Sequence, residues 1–191
     1  NTAPANSAET VVVTGSRVIS DVANSPTPVT IVSTQQLLTT TPTNIADGLN
    51  KLPVFQNSSS EANRSSGGGN NSGNFLNLRN FGQQRTLVLL DGMRLPAANQ
   101  NGSVDVSTLP QTLMSRVDVV TAGASSVYGS DAVTGVVNFI LDKNFNGVKY
   151  EANSGISMYT DGLRYKVSAA AGTDIFGGRG HIEGAVEYRH A

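Results

Sequence analysis

Residues Arg116–Leu141 read RVDVVTAGASSVYGSDAVTGVVNFIL, and the fold of the chain turns on this stretch. Val117, Val119, Val133, Val136, Val137, Phe139 and Ile140 are the β-branched and aromatic types that suit a pleated, half-buried surface. Gly123, Gly129 and Gly135 fall between them, where a backbone must turn or approach another segment closely. The pattern predicts a strand, a glycine-containing turn, a short helical turn around Ser125–Tyr128, and a second strand over Thr134–Leu141.

Upstream, Thr86–Leu90 is a short apolar run closed by Asp91-Gly92, the signature of a buried strand ending in a tight turn. Asp91 could be taken for a catalytic carboxylate, but an Asp-Gly pair at a hairpin tip needs only its turn conformation. Val29–Val32 is a further strand candidate. Ser33 and Gln36 form a capping box ahead of Leu37 and Leu38, and Pro42 ends that helix. Thr43 is placed to cap another helix carrying Ile45, Ala46 and Leu49 on one face, closed by Leu52-Pro53. Two polar stretches, Asn57–Asn74 and Asn99–Ser107, hold almost nothing that could be buried. Long loops of this kind are functional or flexible. The first is not a phosphate-binding loop, since no Gly-Lys-Ser/Thr follows it.

Downstream of Asn146 the periodicity becomes strictly twofold. Val148, Tyr150, Ala152, Ile156 and Met158 alternate with Lys149, Glu151, Asn153 and Ser157. Leu163, Tyr165 and Val167 alternate with Arg164, Lys166 and Ser168, and Ile182, Val186 and Tyr188 alternate with His181, Glu183, Glu187 and Arg189. Three strands of roughly ten residues with one apolar and one charged face carry the dyad signature of a membrane barrel. A soluble meander with one wet face has the same pattern.

Composition narrows the function. A net charge of −1 with 14% charged residues in 191 gives no electrostatic footprint for nucleic acid. There is no cysteine, which removes disulfides, thiolate metal sites and cysteine catalysis. The two histidines, His181 and His190, lie far in sequence from any Gly-flanked Ser, so no nucleophile–base pair suggests itself. No metal site, catalytic residue or cofactor is expected. No run of about 18 apolar residues offers a membrane helix.

The opening stretch resembles the end of the plug domain of TonB-dependent outer-membrane receptors, where RVDVVTAG and ASSVYGSDAVTGVVNFILDK match that family's closing strand–turn–strand. FLNLRNFG at Phe75–Gly82 resembles its "IRGFG" segment, and RTLVLLDGMRLP its "vLvLiDGvp" segment. TNIADGLNKLPVF is similar to its "dLadaLrrlPGV" helix. Where the family often has Arg in "LRGP", this chain has Thr121-Ala122-Gly123.

The resemblance implies an α+β plug, a small mixed β-sheet with short helices, followed by the start of an antiparallel transmembrane β-barrel. The expected division is a flexible N-terminus at 1–15, a plug at 16–145, and three barrel strands at 146–191. Glu9, Thr10, Val11, Val12, Val13, Thr14 and Gly15 correspond to the TonB box, which adds a strand to the periplasmic TonB protein through backbone hydrogen bonds. An ordinary first strand is the plainer reading of the same residues. A TonB box this near the N-terminus is expected to leave no room for a preceding signalling domain.

By the same resemblance, Arg79 and Arg116 are candidates for plug–barrel ion pairs. Asn63, Arg64, Asn70, Asn71, Asn99, Gln100 and Asn101 are candidates for ligand-facing loops. The implied function is an outer-membrane gate in a Gram-negative bacterium, not an enzyme. Its implied partners are TonB, outer-membrane lipid, an unspecified small or medium substrate, and the other strands of a barrel of about 22. Those strands would come from the same protein or a separate chain. The alternative is a soluble binding or adhesion module with the same αβ core.

Overall fold

A computed structural model describes residues 28–40, 45–60, 73–121, 124–155, 164–175 and 179–190. The proposed TonB box, the Pro42 stop and the Thr43 cap lie outside these residues. So do Ile156, Met158 and Leu163 of the alternating runs, and most of the loop after Ser60.

Two sheets organise the described chain. The first has five strands, β1 (Val29–Ser33), β2 (Thr86–Leu90), β3 (Met93–Arg94), β4 (Met114–Val120) and β5 (Gly135–Leu141), in the spatial order β1-β4-β5-β2-β3. β4 runs antiparallel to both β1 and β5, whereas β2 and β5 are parallel, with Thr86 opposite Gly135 and Leu90 opposite Phe139. The mixed sheet is the architecture expected, and the second strand of the opening stretch begins one residue later than predicted.

The central strands are nearly all apolar because both faces are covered. Val117, Val119, Val137 and Phe139 face one core cluster with Leu37, Ile45, Leu49, Phe55 and Leu78. Val120 and Val136 face a second cluster with Leu87, Leu89, Ala124 and Ala132. Each fully buried valine or leucine contributes about 1.5–3 kcal/mol over its exposed state.

Helices α1 (Thr34–Thr40) and α2 (Ile45–Leu49) cover the first face. The capping box forms as predicted: the Gln36 amide donates to Ser33 Oγ at 3.3 Å, and the Ser33 amide to Gln36 Oε1 at 3.4 Å. On the other face, α3 (Ser125–Tyr128) brings Ala124 and Tyr128 against the second cluster.

The β2–β3 hairpin turns on Asp91 (φ 50°) and Gly92 (φ 79°), the two left-handed residues a type I′ turn requires. Asp91 does more than turn. Its Oδ1 accepts the Leu141 amide at 3.2 Å and its Oδ2 lies 3.6 Å from Lys143 Nζ, so the tip also ties down the end of β5.

The second sheet is an antiparallel meander of β6 (Gly147–Gly155), β7 (Arg164–Ile175) and β8 (Gly180–His190). β7 continues to Ile175, with Thr173, Asp174 and Ile175 paired to Ile182, His181 and Gly180. The change of sheet falls between Leu141 and Gly147.

The alternation has a definite sense. Val148, Tyr150, Val167, Ile182, Val186 and Tyr188 stand exposed on the outer face, with Tyr150 at 83%. Lys166, Ser168 and Ala170 are buried on the inner one. No helix among the described residues is long and apolar enough to cross a membrane, which leaves crossing by strands untouched.

Candidate functional site

The polar segments that looked unburiable converge. Leu78, fully buried, pairs with Phe55 and holds a tight turn in which Arg79 (φ 55°) and Asn80 (φ 60°) are both left-handed and the Phe81 amide donates to the Leu78 carbonyl at 3.3 Å. That turn projects Asn80 and Phe81 outward, with Phe81 58% exposed. The Gly82 amide then donates to Asn77 Oδ1 at 2.9 Å, and Gln83 Nε2 donates to Ser59 Oγ at 2.9 Å. Asn57 Nδ2 reaches Asn80 Oδ1 at 3.2 Å, and Asn99 Oδ1 accepts the Ser103 amide at 3.0 Å.

Together these groups line a polar depression of about 660 Å³, to which Asn57 and Ser59 come from one loop and Asn99, Asn101 and Ser103 from the other.

Asp105 stitches the two loops below it. Its Oδ1 accepts the amides of Asn74 and Ser107, each at 2.9 Å, while the Val106 amide donates to the Asn74 carbonyl at 2.9 Å. Gly73 is required there, since a Cβ would collide with the Asp105 carboxylate. The depression lies just before the amino end of β2, whereas the chain leaves for the meander from the carboxyl end of β5. Because β2 and β5 are parallel, these are opposite ends of the pair.

Of the proposed ligand-facing residues, Asn99 and Asn101 line the depression, and Gln100 is exposed between them. Asn63, Arg64, Asn70 and Asn71 lie outside the described residues, as do Glu9–Gly15.

The two arginines proposed for plug–barrel ion pairs sit in different settings. Arg116 Nε bonds Asp118 Oδ1 at 3.1 Å on its own strand, and Asp118 is only 1% exposed. Among the described residues that buried carboxylate is the ion-pair partner of Arg116. Arg79 is exposed on its turn, with no ion pair among the described residues.

The contact between sheet and meander is made by residues the sequence did not single out. Gln111 Oε1 accepts the Ile45 amide at 3.2 Å, at the first residue of α2, and lies 3.2 Å from Lys166 Nζ. Lys166 is fully buried and lies 3.4 Å from Glu187 on β8. Its inward position in the alternation was the one available signal; nothing in the sequence marks Gln111. A larger cleft of about 850 Å³ runs along the same seam, between Ser33–Gln35 and Lys149–Asn153.

Elsewhere Arg94 Nη1 pairs with Asp131 at 2.6 Å, and Arg94 also donates to the Tyr128 carbonyl, which docks β3 on the turn after α3. That hydrogen bond holds the Asp131 carboxyl below its ordinary value. No group of three or more metal-ligating side chains is present among the described residues.

A mixed sheet flanked by a few short helices is the architecture of a receptor plug. The family model for the TonB-dependent receptor plug domain matches residues 21–136, more than half of the chain, and the chain belongs to that family. This is a family of receptors, not of enzymes.

Among solved structures, the siderophore receptor PirA from Pseudomonas aeruginosa superposes with a TM-score of 0.57 at 16% identity, over 87% of this chain and 29% of that one. A mutant of the ferric enterobactin receptor PfeA from the same organism, in complex with enterobactin, gives 0.61 at 16% identity over 85% and 25%. The ferric yersiniabactin uptake receptor FyuA from Yersinia pestis gives 0.57 at 19% over 88% and 24%. The chain thus spans about a quarter of the length of these receptors, and the likeness is one of fold.

Proposed function

We propose that this chain is the gate of a TonB-dependent active transporter in the outer membrane of a Gram-negative bacterium. Substrate binds at the depression on the outward end of the plug. TonB adds to Glu9–Gly15 as a strand on the periplasmic side, and pulling on that segment displaces the plug and opens a path. The observation that carries this reading is the polarity of β6–β8. Their polar side faces the plug, with Lys166 against Gln111, and their apolar side faces away, as a wall seated in lipid requires.

The remaining strands, from the same protein or a separate chain, pair with the outer edges of β6 and β8, since hydrocarbon leaves no unpaired backbone group unpenalised. Arg79, at the outward end, is placed to meet a carboxylate of those strands. The test is Val12→Pro in the intact receptor. Proline removes a ladder donor and fixes φ, so capture of the purified periplasmic domain of TonB should be lost while the plug stays folded. Undiminished capture would overturn the assignment.

A further inference from the structure

Among the described residues, the lining of the depression carries amides, hydroxyls, glycine and one aromatic ring, and no ionisable side chain. Arg79 and Arg85 are its neighbours in sequence but do not line it. The inner amides are already committed: Asn57 to Asn80, Asn77 to Gly82, Gln83 to Ser59, Asn99 to Ser103. The side chains of Gln84 and Asn101 make no such bond among the described residues and present donors and acceptors outward. Gly82 (φ 112°) helps set this up, because a Cβ there would strike the Gln84 amide folded over it. Beside them stands the exposed ring of Phe81. The result is a preformed floor, two open amides and an apolar platform.

We propose, resting on the transporter reading above, that this depression recognises a neutral polyhydroxylated ligand, an oligosaccharide, rather than an anionic ferric chelate. A planar amide offers one acceptor and two donors, the complement of vicinal hydroxyls that each donate and accept. The face of a pyranose ring is apolar and lies flat on an aromatic ring. A polyanionic chelate brought to the same lining would surrender water without gaining the charge-assisted bonds that usually hold it.

The experiment uses the intact receptor carrying this chain, purified in detergent. Calorimetry is run against maltohexaose, cellohexaose, xylohexaose and chitohexaose, and against a ferric triscatecholate of charge −3. At least one neutral hexasaccharide should bind and the chelate should not. Phe81→Ala should weaken sugar binding about tenfold, and Gln84→Ala about fivefold. Both side chains are exposed, so both variants keep the fold.

Binding of the chelate alone, failure of all four sugars, or sugar binding indifferent to both substitutions would overturn the proposal. Uptake by cells with and without TonB separates it from the reading beneath it. Chelate uptake that needs TonB overturns the ligand class and leaves the transporter standing; sugar uptake indifferent to TonB overturns both.

Discussion

The ammonium of Lys166, on the second meander strand, lies 3.2 Å from Oε1 of Gln111, in the plug, and the same oxygen accepts the amide that starts α2. One buried carbonyl therefore ties the plug's helical face to the meander beside it. Gln111→Ala should leave the Ile45 amide without its acceptor and Lys166 with Glu187 alone, at a cost of about 1–3 kcal/mol. Hydrogen exchange would show it as lost protection at the Ile45 amide, and unchanged exchange would count against the tie.

Gly135 and Gly172 are fixed by space. A Cβ on Gly135 would collide with the Val120 carbonyl, in a backbone conformation (φ 148°) that L residues avoid, and one on Gly172 with the Phe145 carbonyl. Gly135→Ala should destabilise the plug by more than about 4 kcal/mol, in the range reserved for strained, overpacked sites. Gly172→Ala should instead disturb the seam between Phe145 and β7. Gly102, with nothing near its Cβ but φ at 82°, should lose much less. Chemical denaturation of the three variants checks the order.

Asp118 is buried and its cation is Arg116, on the same face of β4. Arg116→Ala removes the cation beside a carboxylate buried in the sheet, with an expected loss of about 3 kcal/mol, whereas the double change with Asp118→Asn should recover part of it. A double-mutant cycle on denaturation midpoints measures the coupling. Were Arg116 engaged chiefly with another barrel strand, Asp118→Asn would give no recovery.

Asp131 supplies a pH dependence of known sign. Its folded carboxyl is held below the ordinary value by the hydrogen bond from Arg94, so its contribution is complete above the unfolded range. It is lost as pH falls through the lowered folded value. Docking of β3 on the turn after α3 should loosen only in strong acid, and Asp131→Asn should abolish that acid step. Amide exchange around Met93–Arg94 as a function of pH reports it. A step at neutral pH would point to a different group.

Much of the architecture was readable before folding because it follows from local chemistry. The Ser33/Gln36 capping box, the Asp91-Gly92 turn and the valine-rich run through Val117 and Val137 each satisfy a requirement of their own backbone within a few residues. The period of two over Val148–Tyr188 told apolar from polar sides by itself. Asn99 and Asn101 were reached through a resemblance and their polarity.

What the local pattern could not say is which distant groups would meet. Asn57 and Asn101 share a depression only because Leu78 and Asp105 pull two loops onto the same end of the sheet. Arg116 takes Asp118 because residues two apart on a strand share a face, and a buried carboxylate claims the nearest cation. Gln111 matters because Lys166, 55 residues later, arrives beside it on another sheet. Propensity acts along the chain and shows in the sequence; hydrogen-bond and ion-pair partners are set by packing, and exist only once the two sheets stand side by side.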